Sequence, residues 1–175
     1  HKMKKALIVV DYQNDFITGS LGFEAAVAIR PIVAAKIETA LKEGTDVIFT
    51  LDTHTEYYLN TVEGKGLPIV HCVRGTWGWE LDDSVKNYAS KAKAVIEKPT
   101  FGSAELGAFV EKEGYTDVEL CGLVTSMCVL NNAIITKAHL PECNITVDSK
   151  ATEDADPKVK QSALDAMKTF MMKVL

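Results

Sequence analysis

Five short apolar runs are spaced along this chain, and they constrain its fold more than any other feature. They are A-L-I-V-V (6–10), V-I-F-T-L (47–51), A-V-I-E (94–97), V-E-L-C (118–121) and N-I-T-V (144–147). Each is too short for a buried helix, and the first two are too continuously apolar for a strand with one wet face. They read as strands of a parallel sheet covered on both sides. Segments with helical spacing separate them at 24–43, 103–113, 126–139 and 157–170. In the first, Pro31 marks the true opening turn and Gly44 the stop; Ser103 and Gly114 bound the second, and Pro157 opens the last. Residues 172–175 add a sixth, terminal strand. Alternation of this kind predicts an α/β fold, a single doubly wound, mostly parallel sheet with helices on both faces and right-handed crossovers.

No linker, repeat or low-complexity stretch divides the chain. Its 175 residues fit one domain, taken as 3–175, since domains commonly run to roughly 100–200 residues. His1 and Lys2 ahead of Met3 read as a ragged start and stay outside the fold argument. A net charge of -5 with scattered Lys and Arg gives no footprint for nucleic acid or an anionic membrane. No apolar run approaches the roughly 18 residues of a membrane span. There is no G-x-G-x-x-G after the first strand and no G-K-[ST] loop, so no nucleotide cofactor is expected. Four cysteines without close paired spacing suit reduced thiols in the cytoplasm. A small-molecule or protein partner is the remaining default.

Chemistry collects where the strands end. Asp11 follows the first run, Asp52 the second and Lys98 the third; Asp148 and Lys150 lie just beyond the fifth. After the fourth, a glycine turn at 122–125 leads into a helix carrying Cys128 in its first turn. Ligands of open parallel sheets sit outside the carboxyl ends of the strands, so these residues share one edge. Taken singly, each has an ordinary use: an acid after a strand caps a turn, and a free thiol is a small hydrophobe. Unpaired amides and the dipole at a helix start favour thiolate, which predicts a lowered pKa for Cys128. Taken together, a carboxylate can accept the thiol proton while a lysine keeps both groups charged. That is the equipment of a thiol hydrolase without a catalytic histidine. A long loop, 55–79, follows the second strand and is a candidate lid or binding loop.

The segments A-L-I-V-V-D-Y-Q-N-D-F (6–16), G-S-L-G (19–22), D-T-H (52–54), H-C-V-R-G-T (71–76), E-K-P-T-F-G-S-A (97–104) and C-G-L-V-T-S-M-C-V (121–129) carry a family resemblance. In this order they resemble the isochorismatase-like cysteine hydrolases, and among these the nicotinamidases. The resemblance implies a catalytic Asp11, Lys98 and Cys128, with Cys128 forming a thioester during hydrolysis of a small amide. It implies a divalent metal (zinc, iron or manganese) on Asp52, His54 and His71, with Asn60 standing about where a further histidine would be. It also implies a cis peptide at Leu123–Val124, an oxyanion hole from the amides of Val124 and Cys128, and frequent homo-oligomers. Ser126 departs from the pattern, since nicotinamidases commonly carry an acid there. Phe16, Tyr57, Trp77 and Trp79 are candidates for an aromatic wall around a flat ring, although core packing would use them equally well. The alternatives are a metal-independent isochorismatase or carbamoyl-amide hydrolase, and a non-catalytic binding protein on the same fold.

Overall fold

A computed structural model describes residues 2–175. In chain order the elements are β1 (Lys5–Val10), α1 (Asn14–Ile17), α2 (Glu24–Ala28), α3 (Arg30–Lys42), β2 (Asp46–Asp52), α4 (Val62–Gly66), α5 (Asp83–Lys86), β3 (Ala94–Lys98), α6 (Ala104–Glu113), β4 (Asp117–Leu123), α7 (Leu130–His139), β5 (Asn144–Glu153), α8 (Pro157–Thr169) and β6 (Lys173–Val174). A π-helical turn, Thr125–Val129, precedes α7. The strands form one six-stranded sheet in the order β3-β2-β1-β4-β5-β6. Every pairing is parallel. The order reverses between β1 and β4, the switch point at which open α/β sheets hold their ligands.

Side chains of β1 alternate between two cores, which is why its run is apolar without a break. Leu7 and Val9 join Val33 and Ile37 of α3 and Phe49 of β2 on one face. Ala6, Ile8 and Val10 join Leu106 of α6, Ala133 of α7 and Leu164 of α8 on the other. Gly122 is required where β4 passes β1: its φ is 108° and a Cβ there would lie 2.1 Å from the Val10 carbonyl oxygen. No described helix is long and apolar enough to cross a membrane.

Two sequence expectations need correction. Segment 24–43 is two helices, breaking at Ile29, with Pro31 in the first turn of α3. Proline tolerates that turn because its missing N–H is an orphan there anyway. The fifth strand does not stop at Val147 but continues to Glu153. Its register jumps from Leu120↔Val147 to Gly122↔Thr152, so 148–151 bulge past Cys121. Asp148 therefore lies within the strand and pairs with Lys36 at 2.9 Å. The acid just beyond the end of β5 is Asp154.

Candidate active site and adjoining metal-ligand group

Asp11 leaves β1 in a left-handed conformation, φ 46°, which few non-glycine residues adopt and which is held here from several sides. Its N–H donates to the Thr50 carbonyl at 3.2 Å, and the Thr50 hydroxyl donates to Oδ1 at 2.7 Å. Lys98 ends β3, and its fully buried Nζ lies 2.6 Å from Asp11 Oδ2. The same ammonium donates to Cys128 Sγ at 3.3 Å and to the Thr100 carbonyl at 2.9 Å. Cys128 sits on the π-helical turn after β4 and is buried. Residues from three crossovers, far apart in sequence, thus meet at the switch point. The Leu123–Val124 peptide ahead of the turn is cis.

A buried amide clamps this arrangement. Asn132 Nδ2 donates to the carbonyls of Cys128 (2.7 Å) and Phe101 (3.0 Å), while its Oδ1 accepts from the Ser103 N–H at 2.9 Å. Phe101 and Ser103 follow Lys98, so one side chain joins the cysteine's helix to the lysine's loop.

The electrostatics overturn the expectation of a lowered thiol pKa. Burial, and then the Asp11 carboxylate, push Cys128 well above the ordinary thiol value, and Lys98 opposes them only in part. Burial likewise raises Asp11, with Lys98 pulling the other way. For Lys98 burial works against the charge, but Asp11, Cys128 and Asp52 together raise it, so the ammonium stays protonated. At rest the sulfur keeps its proton, and the Asp11 carboxylate is the group placed to take it.

Next to this trio is a second cluster. Asp52, His54 and His71 are buried, and their ligand atoms all lie within 4.8 Å of one another, close enough to hold one metal ion. Asp52 Oδ2 is 3.0 Å from His54 Nε2 and 3.3 Å from His71 Nε2. Glu63, in the first turn of α4, brings Oε2 to 3.4 Å from His54 Nε2 and 3.8 Å from His71 Nε2. Two imidazole nitrogens and two carboxylates converging on one point suit a divalent first-row ion. The second shell suits it as well: His71 Nδ1 bonds the Ile69 carbonyl at 2.7 Å, leaving Nε2 for the ion. Gln13 brackets the Asp52 backbone, accepting its N–H at 2.8 Å and donating to its carbonyl at 2.9 Å. Burial alone would raise the Asp52 pKa, but the two histidines and Lys98 hold it well below the ordinary carboxylate value.

Asn60 is exposed, whereas Glu63 is half-buried and brings its carboxylate beside both histidines. Sequence reasoning missed Glu63 because an acid one turn into a loop helix looks like any surface acid. The only local signal is Thr61, whose hydroxyl accepts the Gly64 N–H at 2.9 Å and caps α4. Tyr58 was missed too: fully buried, its ring packs edge-on against His54 and His71 at 4.7 and 4.9 Å.

A cavity of about 180 Å³ joins the two clusters, with Cys128 at one wall and Asp52, His71 and Glu63 at another. That is below the ~300–1,000 Å³ of drug-sized sites, which limits the occupant to about one small ring. Phe16 lines it as expected, but Tyr57, Trp77 and Trp79 do not. Tyr57 and Trp77 are 65% and 57% exposed. Trp79 packs on the core and gives its indole N–H to Thr53 Oγ1 at 2.9 Å, a partner the ring needs once it is partly buried. Phe23 and Phe101 supply the aromatic walls instead.

Comparison with known proteins agrees with this geometry. The chain is 28% identical over 189 residues to a nicotinamidase/pyrazinamidase of Mycobacterium tuberculosis, covering 98% of each. Among solved structures it superposes on a pyrazinamidase of Pyrococcus horikoshii in complex with zinc, with TM-score 0.82, 27% identity and 98% of each chain covered. It also superposes on an N-carbamoylsarcosine amidase from Thermoplasma acidophilum, with TM-score 0.81, 25% identity, and 98% and 95% covered. The isochorismatase domain model matches residues 5–175, nearly the whole chain, and the protein therefore belongs to the isochorismatase family of hydrolases.

Proposed function

We propose that this hydrolase cleaves the C–N bond of a small ring carboxamide, with nicotinamide the leading candidate, giving the carboxylic acid and ammonia. The observation that carries the reading is the shared ammonium: Lys98 Nζ touches both Asp11 Oδ2 and Cys128 Sγ, in a buried site opening on a cavity of one-ring size. Asp11 takes the Sγ proton as the sulfur attacks the amide carbon. The developing oxyanion is received by the amide N–H groups of Val124 and Cys128. Protonated Asp11 then gives its proton to the departing nitrogen, and ammonia leaves a thioester on Cys128. Asp11, again a carboxylate, deprotonates a water that attacks the thioester; the acid is released and the thiol restored. Lys98 keeps its charge throughout and holds Asp11 and Sγ in register.

Asp52, His54, His71 and Glu63 would hold a divalent ion, which when bound supplies a Lewis-acidic anchor for a ring nitrogen. A metal-independent member of the family would have no use for these four converging donors, and on that ground the nicotinamidase reading is preferred to a carbamoyl-amide hydrolase. Ammonia release from nicotinamide and pyrazinamide by the wild type and Cys128→Ala tests the proposal. Release by the wild type alone is expected; release from neither amide by the wild type would remove this substrate class.

A further inference from the structure

The acid just beyond the end of β5 has no place in the mechanism above. Asp154 lines the cavity and is only 8% exposed. Its Oδ2 accepts the Ser126 N–H at 2.9 Å, two residues before the nucleophile. The Thr125–Thr152 hydroxyl contact at 2.7 Å fixes this end of β5 to the same turn. The preceding acids of β5 have cations, Glu153 with Lys160 and Asp148 with Lys36, whereas Asp154 has none among the described residues. Capping alone does not account for the side chain. A neutral serine or asparagine would accept the same N–H without adding a charge on the Cys128 side of the cavity, where Phe101, Val124 and Met127 are the neighbours and Asp52 and Glu63 belong to the histidine group.

We infer that Asp154 is a specificity-determining residue that sets the charge class of what reaches Cys128. Resting on the amidase reading of the cavity, it admits neutral or cationic carboxamides, whose N–H groups its free oxygen can accept. It rejects carboxylated ones, which would bring a like charge against it. The reaction turns a neutral amide into an anionic acid, so the same carboxylate also disfavours retention of the product.

The test needs no knowledge of the physiological substrate. Alkylation of Cys128 by neutral iodoacetamide and by anionic iodoacetate of nearly the same size is followed by peptide mass spectrometry, in the wild type and in Asp154→Asn. Asparagine keeps the cap and removes only the charge. The iodoacetamide-to-iodoacetate rate ratio is expected to fall by about 10-fold or more in Asp154→Asn, the scale on which a like charge discriminates at close range. The melting temperature should stay near wild type, while Asp154→Ala, which loses the cap as well, should melt lower. An unchanged ratio in Asp154→Asn would reduce Asp154 to a cap and overturn the proposal. Were the ratio to shift while neither nicotinamide nor pyrazinamide yields ammonia, the substrate reading would fail and the charge filter would stand.

Discussion

Two charged clusters meet at the switch point, joined by one contact of 3.5 Å between Lys98 Nζ and Asp52 Oδ1, and they are built on opposite principles. The Asp11–Lys98–Cys128 trio carries its own cation, so its charges are met from within the chain. In the Asp52–His54–His71–Glu63 group, two acids face two ring nitrogens, with Lys98 reaching only the edge of Asp52, a donor set that a divalent cation from outside would suit. The trio comes entirely from strand ends and the turn after β4. The donor group draws three of its four members, His54, Glu63 and His71, from beyond the end of β2. The trio thus sits at the edge of the sheet, and the donor group reaches into the loop.

Substitutions that separate the clusters test this contrast most directly. Cys128→Ala should lower amide hydrolysis by at least about 1,000-fold while retaining bound metal, measured by ammonia release and elemental analysis. Loss of metal in this variant would mean that the clusters do not act separately. Lys98→Met should lower the rate by about 100-fold or more and destabilise the fold by about 3–5 kcal/mol in urea unfolding, because it strands a buried carboxylate. An activity near wild type would remove the shared ammonium from the mechanism. On the other side of the 3.5 Å contact, Glu63→Gln should weaken metal affinity by roughly 10–100-fold by competition with a chelator, and Asn60→Ala should leave it unchanged. The reverse order would restore the sequence-based assignment.

The smallest effect belongs to a pair outside both clusters. Asp82 accepts three hydrogen bonds near 3 Å from Arg30 and caps α5. Burial would raise its pKa, but Arg30 and Ser84 hold it below the ordinary 3.8. A carboxyl depressed in the folded state contributes stability that is present above its unfolded pKa and lost as pH falls through the folded value. Asp82→Asn should therefore cost about 1–2 kcal/mol at pH 7 and progressively less below about pH 4, read from urea midpoints at pH 7 and 3. A constant difference across that range would show that packing, and not charge, carries the contribution.

What could be read from the sequence follows the same divide. Asp11, Asp52, Lys98 and Cys128 were legible because a run buried on both faces must end where the parallel sheet opens, which fixes their edge before any contact is known. Glu63 and Tyr58 were not, since the loop after β2 has no period to place them. Asp154 was hidden for a different reason. The bulge of 148–151 inserts residues that no alternation pattern records, and it shifts the strand's end from Val147 to Glu153. The aromatic wall failed at Tyr57, Trp77 and Trp79 because a large ring in a loop has several uses, and sequence does not rank them. The sign of the Cys128 shift was missed because position on a helix is visible in sequence while depth of burial is not.

The Asn132 amide, bonded at once to the Cys128 and Phe101 carbonyls and the Ser103 N–H, makes two crossovers on one face of the sheet into a single mechanical unit. Displacing the helical turn that carries Cys128 would therefore move the residues that follow Lys98 with it, keeping sulfur and ammonium together. Among the described residues, no equivalent side-chain clasp spans from this unit to Glu63. A shift on the α4 side therefore need not displace the sulfur or the ammonium.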